Sequence, residues 1–504
     1  MANVLTGRGT AWKGASVVTE ALKAFFVSRG SADRDLSLDR ETLLLRSRAL
    51  FQNSAFAGAL IESFDTNVVG TGIKARPAIN YELLGIPRET AEAWERRTQN
   101  LFELWATSKS ADAERKNDFY QLQALAVKTQ LICGDCFALP IYKPGNDSPF
   151  GFRVKLLEAD RCRNPFGYVD TDKLAGGVEV DENGAPAYYH FTERSPYSID
   201  NYTDSLPTIR VPAFDDFGNP NVIHIFTSDR TDQRRGVPIL APIVSQIKQQ
   251  ERYQDAELMA AVVSSMFTVF IKSAGSSAED FYGNVEDGKR VEPVLAKSAA
   301  ELSPGGIVEL ANGESIEVAD PKRPNANYDP FVSAIFTEAA ARCGISAEVV
   351  LRKFNSSYNA VRAAILESKK TFNRVKQNFI SDFARPVYER WLSEAVMLGI
   401  VEAPGYFEDP LKRSLWNGCR WISDAAFLLD PLKETQAIKM QLDEQLIDRD
   451  TACSMISGGE YERTAIRLSE EKKLRAEIGL QEPGTINKSE SFSVSTQDTS
   501  ESDL

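Results

Sequence analysis

Four groups of residues in this sequence have types and spacings that could do chemistry. The first is the histidines: His190 and His224 are the only two in 504 residues. Catalytic triads and most metal sites need an imidazole. Both histidines sit in runs that read as strands, and a lone strand histidine reads as a structural residue. The second group is Cys133-Gly134-Asp135-Cys136, a CxxC that could be half of a zinc site or a redox pair. No second CxxC and no HxxxH completes a tetrahedral set. The pair ends a helical stretch and starts a strand, which is not the βαβ setting of a thioredoxin-like site.

The third group is Gly283-Asn-Val-Glu-Asp-Gly288-Lys289-Arg290, close to the phosphate-binding GxxxxGK[ST] loop. Arg290 stands where a hydroxyl should hold Mg²⁺, Glu286 and Asp287 would face the phosphates, and Pro293 follows where a helix should propagate. It reads as a charged surface loop. The fourth is Glu367-Ser-Lys369, the ExK spacing of some nucleases, but it lies mid-helix, where an i, i+2 pair does not converge. No GxSxG elbow and no Rossmann fingerprint is present. So little catalytic machinery in so long a chain favours a structural or assembly role, with no cofactor and no metal expected.

The elements around these groups give the organisation. The length calls for two to four structural units. Hydrophobic residues at 43% and charged residues at 26% are an ordinary globular balance. The net charge of −13 disfavours a tight phosphate-gripping module; an acidic surface would let DNA slide, an idea with force only where something else in the sequence points to DNA. Six cysteines are too few for a disulfide scaffold and point to a reducing compartment. The start of the chain lacks the apolar core of a signal peptide. The longest charge-free apolar run, Ala260 to Ile271, is too short to span a bilayer, so a soluble, intracellular protein is expected.

Residues 1–38 read as a loosely ordered arm. Helical periodicity follows over Asp39 to Val68, Arg88 to Trp105 and Asp118 to Cys133. Residues 137–226 are β-rich, with strands at 152–156 and 187–191 and a hairpin turn at Asn183-Gly184. A long helix is predicted from Pro238 to Phe267. A Gly- and Ser-rich stretch over 272–320 carries short strands at 306–310 and 315–318 around a turn at Asn312-Gly313, and a helix covers Tyr328 to Cys343. A very long helical pattern runs from Ala360 to Leu398, which Pro386 should kink or split, with Ala384 and Arg385 biased away from helix. An irregular stretch over 399–430 and two amphipathic helices, Pro431 to Ile447 and Glu460 to Ile478, follow. The Ser- and Thr-rich tail reads as disordered.

A series of segments, in order, resembles the lambda-type portal proteins of tailed phages. It includes Arg46-Ser-Arg48-Ala-Leu50-Phe-Gln-Asn53, Cys133-Gly134-Asp135-Cys136-Phe137 and Leu157-Glu158-Ala-Asp160-Arg161. The strongest is Ile223-His224-Ile-Phe226 through Asp232-Gln233-Arg234-Arg235-Gly236-Val237-Pro238. Gly344-Ile345-Ser346, Arg385-Pro386-Val387-Tyr388 and Asp430-Pro431 continue it, so that it covers roughly 40–480. Ser356-Ser357-Tyr358-Asn359 departs locally from the family's order.

The resemblance implies an α+β portal fold: an α/β wing, a long helical stem, a small β-containing clip and a helical, crown-like C-terminal region. On this chain the wing falls at 39–235 and 360–430, the stem helix at 236–266 and its return at 328–343. The clip falls at 267–327, the tunnel loop at 344–359, the crown-like helices at 431–480 and the disordered tail at 481–504. It implies a non-enzymatic dodecameric ring at one capsid vertex of the virion, assembled in the host cytoplasm. Its partners would be double-stranded DNA in the channel, the terminase large subunit, the major capsid protein and scaffold, and head-tail adaptor proteins; none is a membrane. In the tunnel loop Arg352, Lys353, Asn355 and Ser356 are the candidate DNA contacts, with pairing to acidic neighbours as the alternative for Arg352 and Lys353. In the clip Lys289, Arg290, Glu309, Glu314 and Glu317 are candidate motor contacts. The competing class is a packaging ATPase-nuclease, against which the defective 283–290 loop argues.

Overall fold

The structure is a computed structural model, and it describes residues 13–25, 30–145, 148–198, 206–265, 269–273, 314–318, 328–423, 431–457 and 459–478. Helices and strands are mixed throughout, and the chain forms two compact units that exchange segments. The first unit holds Met1–Val68, Leu125–Ile141 and Val154–Pro386, and the second holds Val69–Ala124, Tyr142–Arg153 and Val387–Leu504.

In the first unit, the last part of the expected arm is a helix, Ala32–Ser37, capped by the Ser31 side chain and anchored by buried Ala32 and Leu36. The periodic run after it forms two helices, Arg40–Asn53 and Ala55–Val68, where one continuous pattern was predicted. Ser54 takes an extended conformation between them, and its amide still bonds Leu50 O at 2.8 Å. The apolar spacing survives the break, so periodicity alone did not reveal it. Phe64 meets Phe372 edge-on, at 5.3 Å between centroids.

The β-rich block is as predicted. Asp135–Tyr142 is the middle strand of a three-stranded sheet, between Phe152–Glu158 and Ile223–Phe226. A four-stranded antiparallel meander runs Leu174–Ala175, Val178–Val180, Pro186–Thr192, Thr208–Pro212. The Asn183-Gly184 turn joins its second and third strands, with Gly184 at φ +83. Asp181 Oδ1 accepts from the amides of Asn183 and Ala185 there. Both sheets contribute to one apolar cluster, which includes Phe137, Leu157, Val178, Tyr189 and Phe191.

The chain then leaves on a helix, Val244–Ser265, preceded by a 3₁₀ turn at Ala241–Ile243 that holds Pro242. The α-helix therefore starts later than the predicted Pro238. A strand Val269–Ser273 pairs antiparallel with Glu314–Val318, and the helix Tyr328–Arg342 comes back. Tyr253 of the outgoing helix stacks on Tyr328 of the returning one at 5.7 Å and meets Phe331 at 5.1 Å. The expected strand at 306–310 and the Asn312-Gly313 turn lie outside the described residues, as does the glycine-lysine loop at 283–290.

The long pattern is interrupted just before Pro386, but Ala384 and Arg385 stay helical, which corrects the expected bias at those two residues. Tyr358–Phe379 passes through a π turn, Ile380–Ala384, into the helix Arg385–Met397, and Arg385 keeps helical angles. A proline supplies no N–H to the preceding turn. A π turn there accommodates the extra residue and the missing donor without a break.

The second unit is organised by aromatic side chains. Phe102 and Trp105 on the helix Arg88–Ala106 pack with Phe119, and Phe102 meets Tyr388 and Trp391 at 5.3 and 5.0 Å. The stretch 399–430, expected to be irregular, contains a helix, Pro410–Trp416, and a strand, Cys419–Ile422, that pairs with Lys74–Pro77. At the C-terminal end there are three helices instead of two: Pro431–Asp443, Arg449–Ser457 and Tyr461–Glu477. The middle one is set off by Gln445 at φ +57 and by Asp448, whose carboxylate accepts from Thr451 N at 2.6 Å. The tail at 481–504 lies outside the described residues.

Candidate DNA-channel segment

The segment between the helices Tyr328–Arg342 and Tyr358–Phe379 is built in two parts. Its base is pinned. Gly344, at φ +76, ends the first helix in a conformation that glycine tolerates without strain. Thr371 Oγ donates to Gly344 O at 2.6 Å, and Ser346 N donates to Ser368 Oγ at 3.0 Å. Ser346 also caps the short helix Ala347–Leu351 by accepting from Glu348 N. Ile345 and Val350 are buried beneath it.

Beyond Val350 the chain turns out, and every residue from Leu351 to Ala360 is exposed. Arg352 is left-handed at φ +52 and closes the short helix. Lys353 N donates to Glu348 O at 3.2 Å, and its Nζ lies 3.7 Å from Asp329 Oδ1. Ser356 Oγ donates to the Glu348 carboxylate. Arg352, Lys353, Asn355 and Ser356 thus share one exposed tip on an ordered base, together with half-exposed Leu351, Phe354 and Tyr358. The tip carries two cations and no acid. The Lys353–Asp329 pair is within one chain and open to solvent, so it contributes little and leaves the ammonium available.

The clip candidates are described only in part. Lys289, Arg290 and Glu309 lie outside the described residues, and Glu314 and Glu317 fall on the strand that pairs with Val269–Ser273. The helix behind the tip adds Arg362, Lys369, Lys370 and Arg374, all exposed, against one acid, Glu367, which pairs with Lys370 at 2.6 Å. The sequence singled out Lys369 only as part of the Glu367-Ser-Lys369 spacing and not the other three, although the basic run was visible as composition.

A second constellation holds the segment that leads into the Val244–Ser265 helix. Arg235 is buried and grips Asp135 with two bonds, Nε to Oδ2 at 2.6 Å and Nη2 to Oδ1 at 3.0 Å. Its remaining donors reach the carbonyls of Ala159 at 2.7 Å, Cys162 at 2.8 Å and Gly176. Burial alone would raise the Asp135 carboxyl, but the Arg235 charge beside it holds it well below the ordinary range. His224 sits 3.6 Å from the same carboxylate, and burial lowers its pKa against the pull of Asp135. Arg235 occupies the carboxylate that a catalytic imidazole would need. The CxxC is equally closed: Cys133 and Cys136 are buried free thiols, and burial raises both. Among the described residues no three His, Cys, Asp or Glu side chains gather as a metal site. No described helix is long and apolar enough to cross a membrane.

Residues 19–376 match the family model described as phage portal protein, lambda family. Portal protein B of Escherichia phage lambda is 24% identical over 457 residues, covering 87% of this chain and 84% of that protein. The portal protein of Escherichia phage N15 is likewise 24% identical over 457 residues, with 87% and 85% covered. Among solved structures, a chain from the neck of a native gene transfer agent particle, computed with C12 symmetry, aligns with a TM-score of 0.42 at 10% identity, over 82% of this chain and 92% of that one. A chain from the neck of an empty particle of that kind, computed with C6 symmetry, gives a TM-score of 0.40 at 12% identity, over 93% and 100%.

Proposed function

The chain belongs to the lambda family of phage portal proteins, and from that premise we propose that twelve copies close into a ring at one capsid vertex and pass the genome in and out. The observation that carries the layout is the excursion of the chain: a helix out, a strand pair, and a helix back, Val244–Ser265 to Tyr328–Arg342. In this reading the helices are the stem, residues 267–327 the clip, and the exposed tip at 351–358 the tunnel loop. Residues 39–235 and 360–430 are the wing, and the three C-terminal helices are crown-like. The family is a structural one, so the work is positional: a closed, head-to-tail ring encloses a bore.

The charge suits sliding. A chain of net −13, repeated around a ring, repels phosphate on balance, while the tip presents Arg352 and Lys353. Contacts that few and that exposed hold DNA only transiently. The terminase large subunit docks at the clip during filling, and head-tail adaptors replace it afterwards. The major capsid protein and scaffold surround the ring during assembly in the host cytoplasm.

Electron microscopy of the purified protein, averaged end-on, tests the reading. Closed rings near twelve-fold with a bore wide enough for duplex DNA are expected. Particles that stay monomeric even with scaffold and capsid protein present would overturn it. The packaging-enzyme alternative makes its own demand: ATP hydrolysis above background that is lost in Lys289→Ala.

A further inference from the structure

A polar pocket of about 220 Å³ opens in the first unit beside the helix Ala32–Ser37 and the start of the helix Arg40–Asn53. Asp33, Arg40, Arg163, Asn164, Asp170 and Arg235 are among the residues that line it. The charges there are spoken for, with one exception. Asp33 holds Arg234, 3.0 Å to its Nε and 2.9 Å to its backbone amide. Asp170 takes Asn164 Nδ2 at 2.7 Å, Gly176 N at 3.0 Å and the Ser37 hydroxyl. Arg235 is saturated by Asp135 and three carbonyls. Arg163 reaches only the exposed Glu41, at 3.9 Å.

Arg40 is the exception. It is partly buried, and among the described residues its side chain makes no hydrogen bond and no ion pair. Desolvation, and then the nearby Arg235 charge, pull its pKa down to about 10. A guanidinium brings five donors, and no group of the described residues answers those of Arg40, so in the pocket they are open to solvent or to a guest. The fork geometry of arginine matches a carboxylate or phosphate.

We propose that this pocket binds one oxyanion, a carboxylate or a phosphate, through Arg40 with Arg163 as the second cation. The fixed carboxylates of Asp33 and Asp170 on the same lining favour a singly charged guest over a dianion. The guest can come from solution or from an acidic side chain of a neighbouring copy, and the chemistry at Arg40 is the same for both.

The test is thermal unfolding of the full chain in chloride, acetate and phosphate buffers at one ionic strength, for wild type, Arg40→Met and Arg163→Met, with mass photometry of the same samples. If the source is free anion, about 10 mM acetate or phosphate raises the wild-type Tm by a few degrees and leaves Arg40→Met unmoved. In chloride, Arg40→Met is no less stable than wild type, because it removes an unanswered charge. If small anions do nothing to wild type but Arg40→Met lowers the fraction of assembled particles, the guest is a neighbour's carboxylate. Two results overturn the proposal. One is a wild type without anion response together with unchanged assembly of Arg40→Met. The other is an Arg40→Met protein that melts well below wild type in chloride, which would place a partner for Arg40 within the chain. The small-anion arm is read on the unassembled chain, so it stands or falls apart from the ring.

Discussion

Arg235 and Asp135, one hundred positions apart in the chain, meet in a buried two-bond pair of 2.6 and 3.0 Å. The pair ties the first residue of a sheet strand to the segment that launches the Val244–Ser265 helix. Removing one partner of such a pair leaves the other charge buried and alone, which costs about 3–5 kcal/mol. Asp135→Asn should therefore lower the urea midpoint strongly. Arg235→Lys should do so too, because an ammonium cannot reproduce the fork or reach three carbonyls at once. Glu92→Gln, which breaks the exposed pair with Arg88, is the control and should hardly move it. An Asp135→Asn protein as stable as that control would show that the pair carries no weight.

The same carboxylate sets an acid limit. Arg235 holds Asp135 far below the value of about 3.9 it would have unfolded. A depressed folded pKa gives stability that is complete above the unfolded value and is lost as pH falls beneath it. Wild type should be flat with respect to this group from pH 7 to about 5 and lose stability below about 4. Asp135→Asn should lack that component, so the two stability curves converge toward low pH. Parallel curves down to pH 3 would mean that Asp135 is not the group responsible.

Beside this pair two backbones cross. A Cβ built on Gly236 would sit 1.9 Å from Gly134 O, and one built on Gly134 would sit 2.6 Å from Gly236 O. Neither neighbour is a side chain that can swing away. Gly236→Ala should fail to give a native fold, seen as loss of the cooperative near-ultraviolet transition. Gly58→Ala, in the helix Ala55–Val68 with nothing nearer than Phe51 O at 3.7 Å, should be neutral or add about 0.5–1 kcal/mol.

How much of this was legible follows from the range of the interactions. The helix Arg88–Ala106, the strands Phe152–Glu158 and Pro186–Thr192 and the Asn183-Gly184 turn are local, and residue pattern revealed each. The break at Ser54 was invisible because the apolar spacing runs straight through it. Cys419–Ile422 read as irregular because a strand that short has too little pattern, and it owes its form to Lys74–Pro77, far away in the chain. The Asp135–Arg235 pair was invisible for the same reason, although both segments carried the family resemblance. The tip at 351–358 was marked by that resemblance. Its pinning through Ser368 and Thr371 needed the coordinates, since nothing local distinguishes those two hydroxyls.

The π turn supplies a prediction of opposite sign. Asp382 lies in it, and burial raises its carboxyl to about 6. An acid with a raised folded pKa binds its proton more tightly when folded, so stability falls as pH climbs from about 4 toward 6 and stays lower above. Asp382→Asn should remove that loss. At pH 8 the variant should be more stable than wild type by about 1 kcal/mol, discounted for partial exposure, and at pH 4 the two should match. A variant less stable than wild type at pH 8 would mean that the carboxylate has a use that outweighs its burial.

The tip itself gives the functional prediction. Its base is held by Ser368, Thr371 and the Ser346 cap, none of which involves Arg352 or the Lys353 side chain. Reversing both charges in Arg352→Glu/Lys353→Glu should therefore leave folding and assembly intact, with ring images and melting curves like wild type. If the tip lines the bore as proposed, lost phosphate contacts and added repulsion act only when DNA is present, each on the order of 1 kcal/mol and salt-dependent. Summed over a ring, this should cut packaged genomes about tenfold or more in a defined packaging reaction, at fixed ionic strength. The single change Lys353→Gln should have a smaller effect, because Arg352 remains. A double variant that packages at the wild-type rate would remove these residues from the DNA path while leaving the ring itself untouched. A double variant that no longer forms rings would move the tip from the bore to the contact between copies.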